Sequence, residues 1–157
     1  MIHYVQFWIS AGGFLRFKME VEDLYPDFIL ELYRHPLNKG KLLDADVTFR
    51  DVNPFCGDAV EISLKISDGK IIDIRFLGEG CAISHAAASL LTELVKGKKV
   101  EEILQMNVDN LLQEMSLPQL KENPARIKCA ALPLKVVKVA LYKYLGKKEE
   151  VAWKDVV

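Results

Sequence analysis

The chain has 157 residues, of which half are hydrophobic and 27% are charged, and this balance indicates one folded domain rather than a disordered or fibrous protein. A formal charge of -1 and the lack of an apolar run of roughly 20 residues argue against a nucleic-acid partner and against a membrane span. The three cysteines are far apart in the sequence, which predicts free thiols in a reducing compartment and therefore a soluble cytoplasmic protein.

The first elements are an aromatic-rich segment and a helix. Residues 1–18 lack the basic start and the cleavage site of a signal peptide, and two interpretations stay open: an extension upstream of a native start at Met19, or an added edge strand. A helix is predicted from about residue 23 to residue 34, because apolar residues recur at helical spacing and acidic residues stand in the first turn. Pro36 ends this run.

Alternating apolar residues predict an antiparallel sheet after this helix. Apolar and polar residues alternate over residues 60–66, which is typical of a half-buried strand, and a turn at residues 67–70 leads to a second strand. Residues 47 and 49 mark a third strand. The residues predicted to share one face of the second strand are Ile72, Ile74 and Phe76.

Helical periodicity replaces the alternation beyond Gly80. The predicted helices cover residues 83–94, 100–106 and 108–115, then a segment that begins at Asn123, and finally residues 134–145. Pro133 predicts a kink or a helix restart before the last of them, although a structural corner is an alternative. The order predicts an α+β fold with an N-terminal helix, a three-stranded antiparallel sheet and several helices packed on one face.

The first cysteine lies in a turn with a carboxylate nearby. Cys56 belongs to the run Asn-Pro-Phe-Cys-Gly-Asp, in which Gly57 allows a turn tight enough for Asp58 to reach the same centre. A thiolate and a carboxylate two residues apart form a reasonable pair of metal ligands. Isolated cysteines are also common as small buried hydrophobic residues, so the residues alone leave both interpretations open.

The other two cysteines also lie at element boundaries. Cys81 follows Gly78 and Gly80, two glycines that let backbone amides approach a sulfur or an anion. Arg126 and Lys128 precede Cys129, and cations beside a thiol favour the thiolate, although a charged helix face gives the same pattern. The three thiols can therefore converge at one end of the sheet.

The motifs NPxCGD, GxGCxIS and PARxKCA, in this order, resemble those of the U-type iron-sulfur cluster assembly scaffolds, the IscU, SufU and NifU N-terminal family. The resemblance covers residues 19–147, which are therefore expected to form the scaffold domain. Residues 1–18 are then an N-terminal extension, and residues 148–157 a C-terminal tail that docks on the body or on a partner.

The resemblance implies an assembly scaffold rather than an enzyme. Such a scaffold accepts sulfur from a cysteine desulfurase, binds iron, builds a transient [2Fe-2S] cluster and transfers it to apo-proteins, and a carboxylate ligand makes the cluster easier to release. Any of the three thiols is a candidate sulfur acceptor. The implied metal ligands are Cys56, Asp58, Cys81 and Cys129, and the implied supporting residues are Gly57, Gly80, Arg126 and Lys128.

The resemblance implies further partners. They are an iron donor and an Hsp70-type chaperone. A second copy of the chain is also an expected partner, because a neighbouring copy would protect a cluster that is exposed at the protein surface. Residues 117–121 match only part of the segment by which that chaperone recognises IscU-type scaffolds, and a loop between helices is the alternative.

Departures from the family pattern leave another function open. Lys128 stands where IscU-type members carry a histidine, which resembles the SufU branch and favours a zinc-dependent sulfur acceptor, a sulfurtransferase, although an exposed helix lysine is an equal explanation. SufU-type members usually carry a long insertion between the second and third cysteines. The separation between Cys81 and Cys129 leaves room for only a small insertion, which argues against that branch. A purely structural zinc ion is a third alternative. His85, one helical turn after Cys81, is a minor candidate ligand.

Overall fold

The computed structural model describes residues 2–9, 13–148 and 150–157, with side chains described for residues 27–148 and 150–157. Strands β1 (Ile2–Ile9) and β2 (Gly13–Glu20) pair with each other in a two-stranded sheet. Neither strand belongs to the larger sheet, so the interpretation as an added edge strand is wrong. The extension stays a prediction, and its residues 1 and 10–12 lie outside the described residues.

The predicted α+β order is confirmed. Helix α1 (Val21–Arg34) ends before Pro36, whose ring fixes the backbone and cannot continue the hydrogen-bond ladder. Strands β3 (Val47–Asn53), β4 (Asp58–Ser67) and β5 (Lys70–Glu79) follow as an antiparallel sheet in the order β3-β4-β5. This sheet places the beginning of β4 and the end of β5 side by side.

The predicted facing of β5 is wrong at one residue. Ile71 and Ile74 are fully buried, whereas Ile72 is 55% exposed. The cause is a β-bulge: Ile66 of β4 pairs with Ile71, and the residue before Ile66 pairs with Asp73. Ile72 is thus an additional residue without a partner opposite, and its side chain turns to the other face.

Helices cover one face of the three-stranded sheet. Helices α2 (Ala82–Val95) and α5 (Arg126–Tyr144) pack against the sheet and against each other, and α1 packs against α2. None of the described helices is both long and apolar enough to cross a membrane. Between α2 and α5 lie α3 (Val100–Gln105) and α4 (Val108–Glu114), and short 3-10 helices stand at Pro118–Glu122 and Trp153–Asp155.

Helix α5 is continuous, so the predicted restart at Pro133 is wrong. Pro133 has no N–H to donate to the carbonyl of Cys129, yet the helix continues because the surrounding turns are packed in the core. Asn123 caps the beginning of α5, since its Oδ1 accepts the N–H groups of Ala125 and Arg126 at 3.2 and 3.0 Å.

The C-terminal segment packs on the body. Val156 is 1% exposed within the core cluster, and its carbonyl accepts the N–H of Val108 at 2.8 Å. The ring of Trp153 lies beneath Lys135, whose Nζ is 5.0 Å from the ring centroid. Of the two interpretations of this segment, docking on the body is therefore the one that the structure favours.

Burial of the tail predicts its contribution to stability. Val156→Ala removes two buried methyl groups and should lower the free energy of unfolding by about 2 kcal/mol. Val157 is 46% exposed, so Val157→Ala is the matched control and should change stability by less than about 0.5 kcal/mol. Urea denaturation of both variants is the measurement, and equal effects would contradict the docked tail.

Candidate metal centre

A turn between β3 and β4 presents Cys56. Asn53 organises this turn: its Oδ1 accepts the N–H of Phe55 at 3.2 Å, and its main-chain oxygen accepts the N–H of Gly57 at 2.9 Å. Gly57 has a φ of 69°, in the left-handed region that favours glycine. As a result Cys56 lies exposed at the surface, two residues before the first residue of β4.

Asp58 lies at the buried bottom of the site. It is the first residue of β4 and is fully inaccessible to solvent. Its Oδ1 accepts the N–H of Cys81 at 2.9 Å, whereas its Oδ2 makes no hydrogen bond to the part of the chain that the structure describes. A buried carboxylate oxygen without a partner is costly, and a metal ion is a partner that would satisfy it.

The contact between Asp58 and Cys81 depends on Gly80. A Cβ atom at position 80 would lie 2.1 Å from Asp58 Oδ1 and 2.9 Å from Asp58 Cα. Gly80 also has a φ of 135°, which side-chain-bearing residues rarely adopt. Only glycine fits between β5 and α2 at this point.

Helix α5 supplies the third thiol from the other side. Cys129 is 2% exposed, and its Sγ lies 3.1 Å from Cys56 Sγ. Asn53 Nδ2 lies 3.9 Å from Cys129 Sγ and so links the turn to the helix. The sequence predicted Asn53 only as part of a turn and not as a link to the thiols, although an asparagine ahead of a tight turn is a known signal for side-chain bonding to the turn backbone.

The structure brings three of the four predicted ligands together. The ligand atoms of Cys56, Asp58 and Cys129 all lie within 4.8 Å of one another. Cys81 stands beside this group through its main-chain bond to Asp58, while its Sγ accepts the N–H of Ser84 at 3.5 Å and caps helix α2. Thiols with one carboxylate are a donor set suited to zinc or to iron and sulfide.

Burial controls the protonation of the inner thiols. It raises the pKa of Cys129, and interactions with Cys56 and Asp58 act in the same direction. It also raises the pKa of Cys81, although the hydrogen bond from Ser84 opposes the rise. Metal ligation requires thiolates, so binding at this site releases protons.

The two cations before Cys129 do not reverse this effect. Lys128 is half-buried and places its Nζ 4.4 Å from the ring centroid of Phe55. Arg126 is exposed. Burial therefore outweighs the stabilisation of the thiolate that was predicted from these cations, and their supporting role stays a prediction.

His85 is bound to the main chain. Its Nε2 lies 3.0 Å from the carbonyl oxygen of Gly78, and its Nδ1 lies 3.4 Å from that of Cys81. Its ring packs edge-on against Tyr33, with centroids 5.2 Å apart. Both nitrogens are thus directed at carbonyl oxygens, and the candidate ligand role has no support in this arrangement.

Residues 117–121 are folded into the body. Leu117 and Leu120 are buried, and Lys121 Nζ lies 2.7 Å from Asp109 Oδ2. This segment connects α4 to α5 as the alternative interpretation expected, and chaperone recognition stays a prediction.

Comparison with known proteins adds independent information. Residues 24–151 match the family described as NifU-like N terminal domain. The chain is 35% identical over 146 residues to the zinc-dependent sulfurtransferase SufU of Bacillus subtilis, covering 84% of this chain and 99% of that protein. It is 37% identical over 140 residues to the iron-sulfur cluster assembly scaffold protein IscU of Thermotoga maritima, covering 81% and 96%. The crystal structure of the N-terminal part of a NifU-like protein from Brucella abortus shares the fold, with a TM-score of 0.71 at 21% identity, covering 81% of this chain and 98% of that one.

The close approach at Gly80 gives a testable prediction. Gly80→Ala should displace Asp58 and lower the free energy of unfolding by more than the roughly 1 to 3 kcal/mol that backbone strain alone costs. Gly97, with a φ of 78° and no atom within 4 Å of an added Cβ, is the matched control, because Gly97→Ala introduces strain without a clash. Urea denaturation compares the two variants, and equal losses would show that the Asp58 contact is unimportant.

Proposed function

The chain belongs to the family of NifU-like N terminal domains, and we propose that it is a scaffold on which iron and sulfide are assembled into a transient [2Fe-2S] cluster. In this proposal the sulfur comes from a cysteine desulfurase, and the cluster passes to apo iron-sulfur proteins. The observation that carries the proposal is the group formed by Cys56, Asp58 and Cys129, with one thiol at the surface and a carboxylate oxygen that makes no hydrogen bond within the described part of the chain.

The exposure of the site favours transfer of an assembled cluster to a recipient protein. Cys56 is exposed, whereas Asp58 and Cys129 are buried behind it. A cluster held there would have one side on the protein and one side accessible to a recipient. The carboxylate oxygen is a harder ligand than a thiolate and holds iron less firmly in a sulfur-rich site, which favours release.

Cys81 completes the proposed ligand set. Its thiol caps helix α2 through the N–H of Ser84, and its own N–H donates to Asp58. The main-chain bond fixes the position of Cys81 next to the other ligands. Ligation would replace the weak cap by a metal bond.

Exposure favours Cys56 as the thiol that receives sulfur. A persulfide on the donor has to reach the acceptor, and Cys129 is covered by its surroundings. In the transfer the thiolate of Cys56 attacks the outer sulfur of the donor persulfide. The donor's S–S bond breaks, a new S–S bond forms to Cys56 Sγ, and the donor cysteine leaves as a thiolate.

A zinc-dependent sulfur acceptor is the second candidate function. It is favoured by Lys128 in place of a histidine and by the similarity to the sulfurtransferase of Bacillus subtilis. Zinc bound by Cys56, Asp58, Cys81 and Cys129 would keep the thiols deprotonated. The chain would then hand sulfur on without building a cluster.

Metal and sulfide analysis distinguishes the two functions. The chain is purified anaerobically and analysed for iron, zinc and acid-labile sulfide before and after incubation with a cysteine desulfurase, cysteine, reductant and ferrous iron. The scaffold predicts equal amounts of iron and sulfide that leave on addition of an apo-ferredoxin. Tightly bound zinc without a cluster, together with faster desulfurase turnover, would overturn the scaffold in favour of the sulfur acceptor.

Removal of the carboxylate should make the cluster more persistent. We expect Asp58→Ala to slow cluster transfer to an apo-ferredoxin by about tenfold, which corresponds to a barrier higher by about 1.4 kcal/mol. Asp58→Asn is the control for local structure, because its amide oxygen still accepts the N–H of Cys81 while the charge is lost. Transfer half-times are followed by circular dichroism, and unchanged half-times in both variants would contradict the role of Asp58.

A further inference from the structure

The Cys56 turn meets helix α5 through two adjacent pairs of residues. Cys56 faces Cys129, with Sγ atoms 3.1 Å apart. One residue earlier on each segment, the ring of Phe55 faces Lys128, whose Nζ lies 4.4 Å from the ring centroid. The two contacts join the same two segments at neighbouring residues. The contact between Phe55 and Lys128 therefore also helps to keep the two thiols close together.

The backbone of Phe55 is bonded to Asn53, but its ring is not fixed by burial in the core, since the residue is 71% exposed. A phenyl ring on a surface turn would ordinarily be free to move away from the helix. An ammonium group over the face of an aromatic ring is attracted by the electrons of the ring, which gives the turn a directional contact with α5.

The other end of the turn is already anchored. Asn53 binds the backbone of the turn and also approaches Cys129, and it is fully buried at the end of β3. Gly57, with its positive φ, leads directly into β4. The N–H groups of Phe55 and Gly57 thus hold the turn to Asn53 on the side of β3, and the ring of Phe55 holds it to Lys128 on the side of α5. If the contact with Lys128 is lost, the bonds to Asn53 have to hold this segment without it.

We propose that Phe55 and Lys128 form a latch that holds Cys56 closed against Cys129 and so sets the rate at which a bound metal leaves the site. Both are positioning residues, because they act through the neighbouring cysteines. The closing of the turn is a property of the chain itself, and only the effect on metal release rests on the proposed function. The latch also gives a specific role to Lys128, which stands where IscU-type members carry a histidine.

The size of the effect follows from the contact. A cation over an aromatic ring at an exposed site shifts an equilibrium between closed and open forms by about 2- to 5-fold. Loss of either partner should therefore increase the open fraction of the turn by this factor. Loss of both should have no larger effect than loss of one, because the same contact is removed.

The first experiment measures the turn without metal. Amide hydrogen exchange of Gly57, whose N–H donates to Asn53, is followed by NMR in the metal-free full chain. Phe55→Leu and Lys128→Met should each lower the protection of this amide by about 2- to 5-fold, and the double variant should match the single ones. Lys128→Arg should retain the protection, since a guanidinium also lies favourably over a ring.

Arg126 provides the matched control for charge. It is exposed and lies two residues before Lys128 on the same helix. Arg126→Met also removes one positive charge but does not remove the contact with Phe55. In the double variant its effect on amide protection should therefore multiply with the effect of Phe55→Leu, as expected for two independent changes. If Lys128→Met also multiplied with Phe55→Leu, or if Lys128→Arg failed to retain the protection, the latch would be refuted.

The second experiment measures release of zinc to a chromogenic chelator from the zinc-loaded chain. Phe55→Leu and Lys128→Met should each speed release by about 2- to 5-fold, and Lys128→Arg should release zinc at the original rate. Unchanged release with a normal metal load would overturn the latch and leave the proposed function intact. The opposite outcome is a chain in which the Phe55 and Lys128 variants lower the protection of the Gly57 amide as expected, but which binds neither zinc nor iron. That outcome would overturn the proposed function and leave the closing of the turn intact.

Discussion

The hydrogen bond between the buried carboxylate of Asp58 and the N–H of Cys81 is the contact on which the site depends. It joins the beginning of β4 to the junction of β5 and α2, two points that are distant in sequence but adjacent in the antiparallel sheet. The bond requires glycine at position 80, because a Cβ there would occupy the space of the carboxylate. Once this bond forms, one carboxylate oxygen is satisfied, and the other has no hydrogen-bond partner among the residues that the structure describes.

The other proposed ligands lie on segments that differ in how firmly they are held. Cys129 is fixed by helix α5, which packs on the sheet and passes through the core. Cys56 lies on a surface turn that is held at one end by Asn53 and at the other by its contact with α5. A rigid buried side and a movable exposed side are what a site needs if it is to bind a metal firmly and still exchange it with a partner.

Local patterns in the sequence predicted the elements, and contacts between distant residues explain what the patterns missed. The alternation in β4 and the helical spacing in α2 depend on near neighbours and were sufficient to place both elements. The bulge that turns Ile72 outward depends on the register with Ile66, and the continuity of α5 through Pro133 depends on packing around it. In the site, glycine and turn chemistry predicted the position of Cys56, but the ring beneath Lys128 belongs to another segment and leaves no periodic signal.

The position of Cys129 on the last long helix has a consequence for biosynthesis. A chain emerging from the ribosome presents Cys56, Asp58 and Cys81 well before α5. The bond between Asp58 and Cys81 can form in such a nascent chain, but the second thiol that faces Cys56 is still missing. The complete set of proposed ligands is therefore present only after nearly all of the domain has been translated and α5 has docked on the sheet.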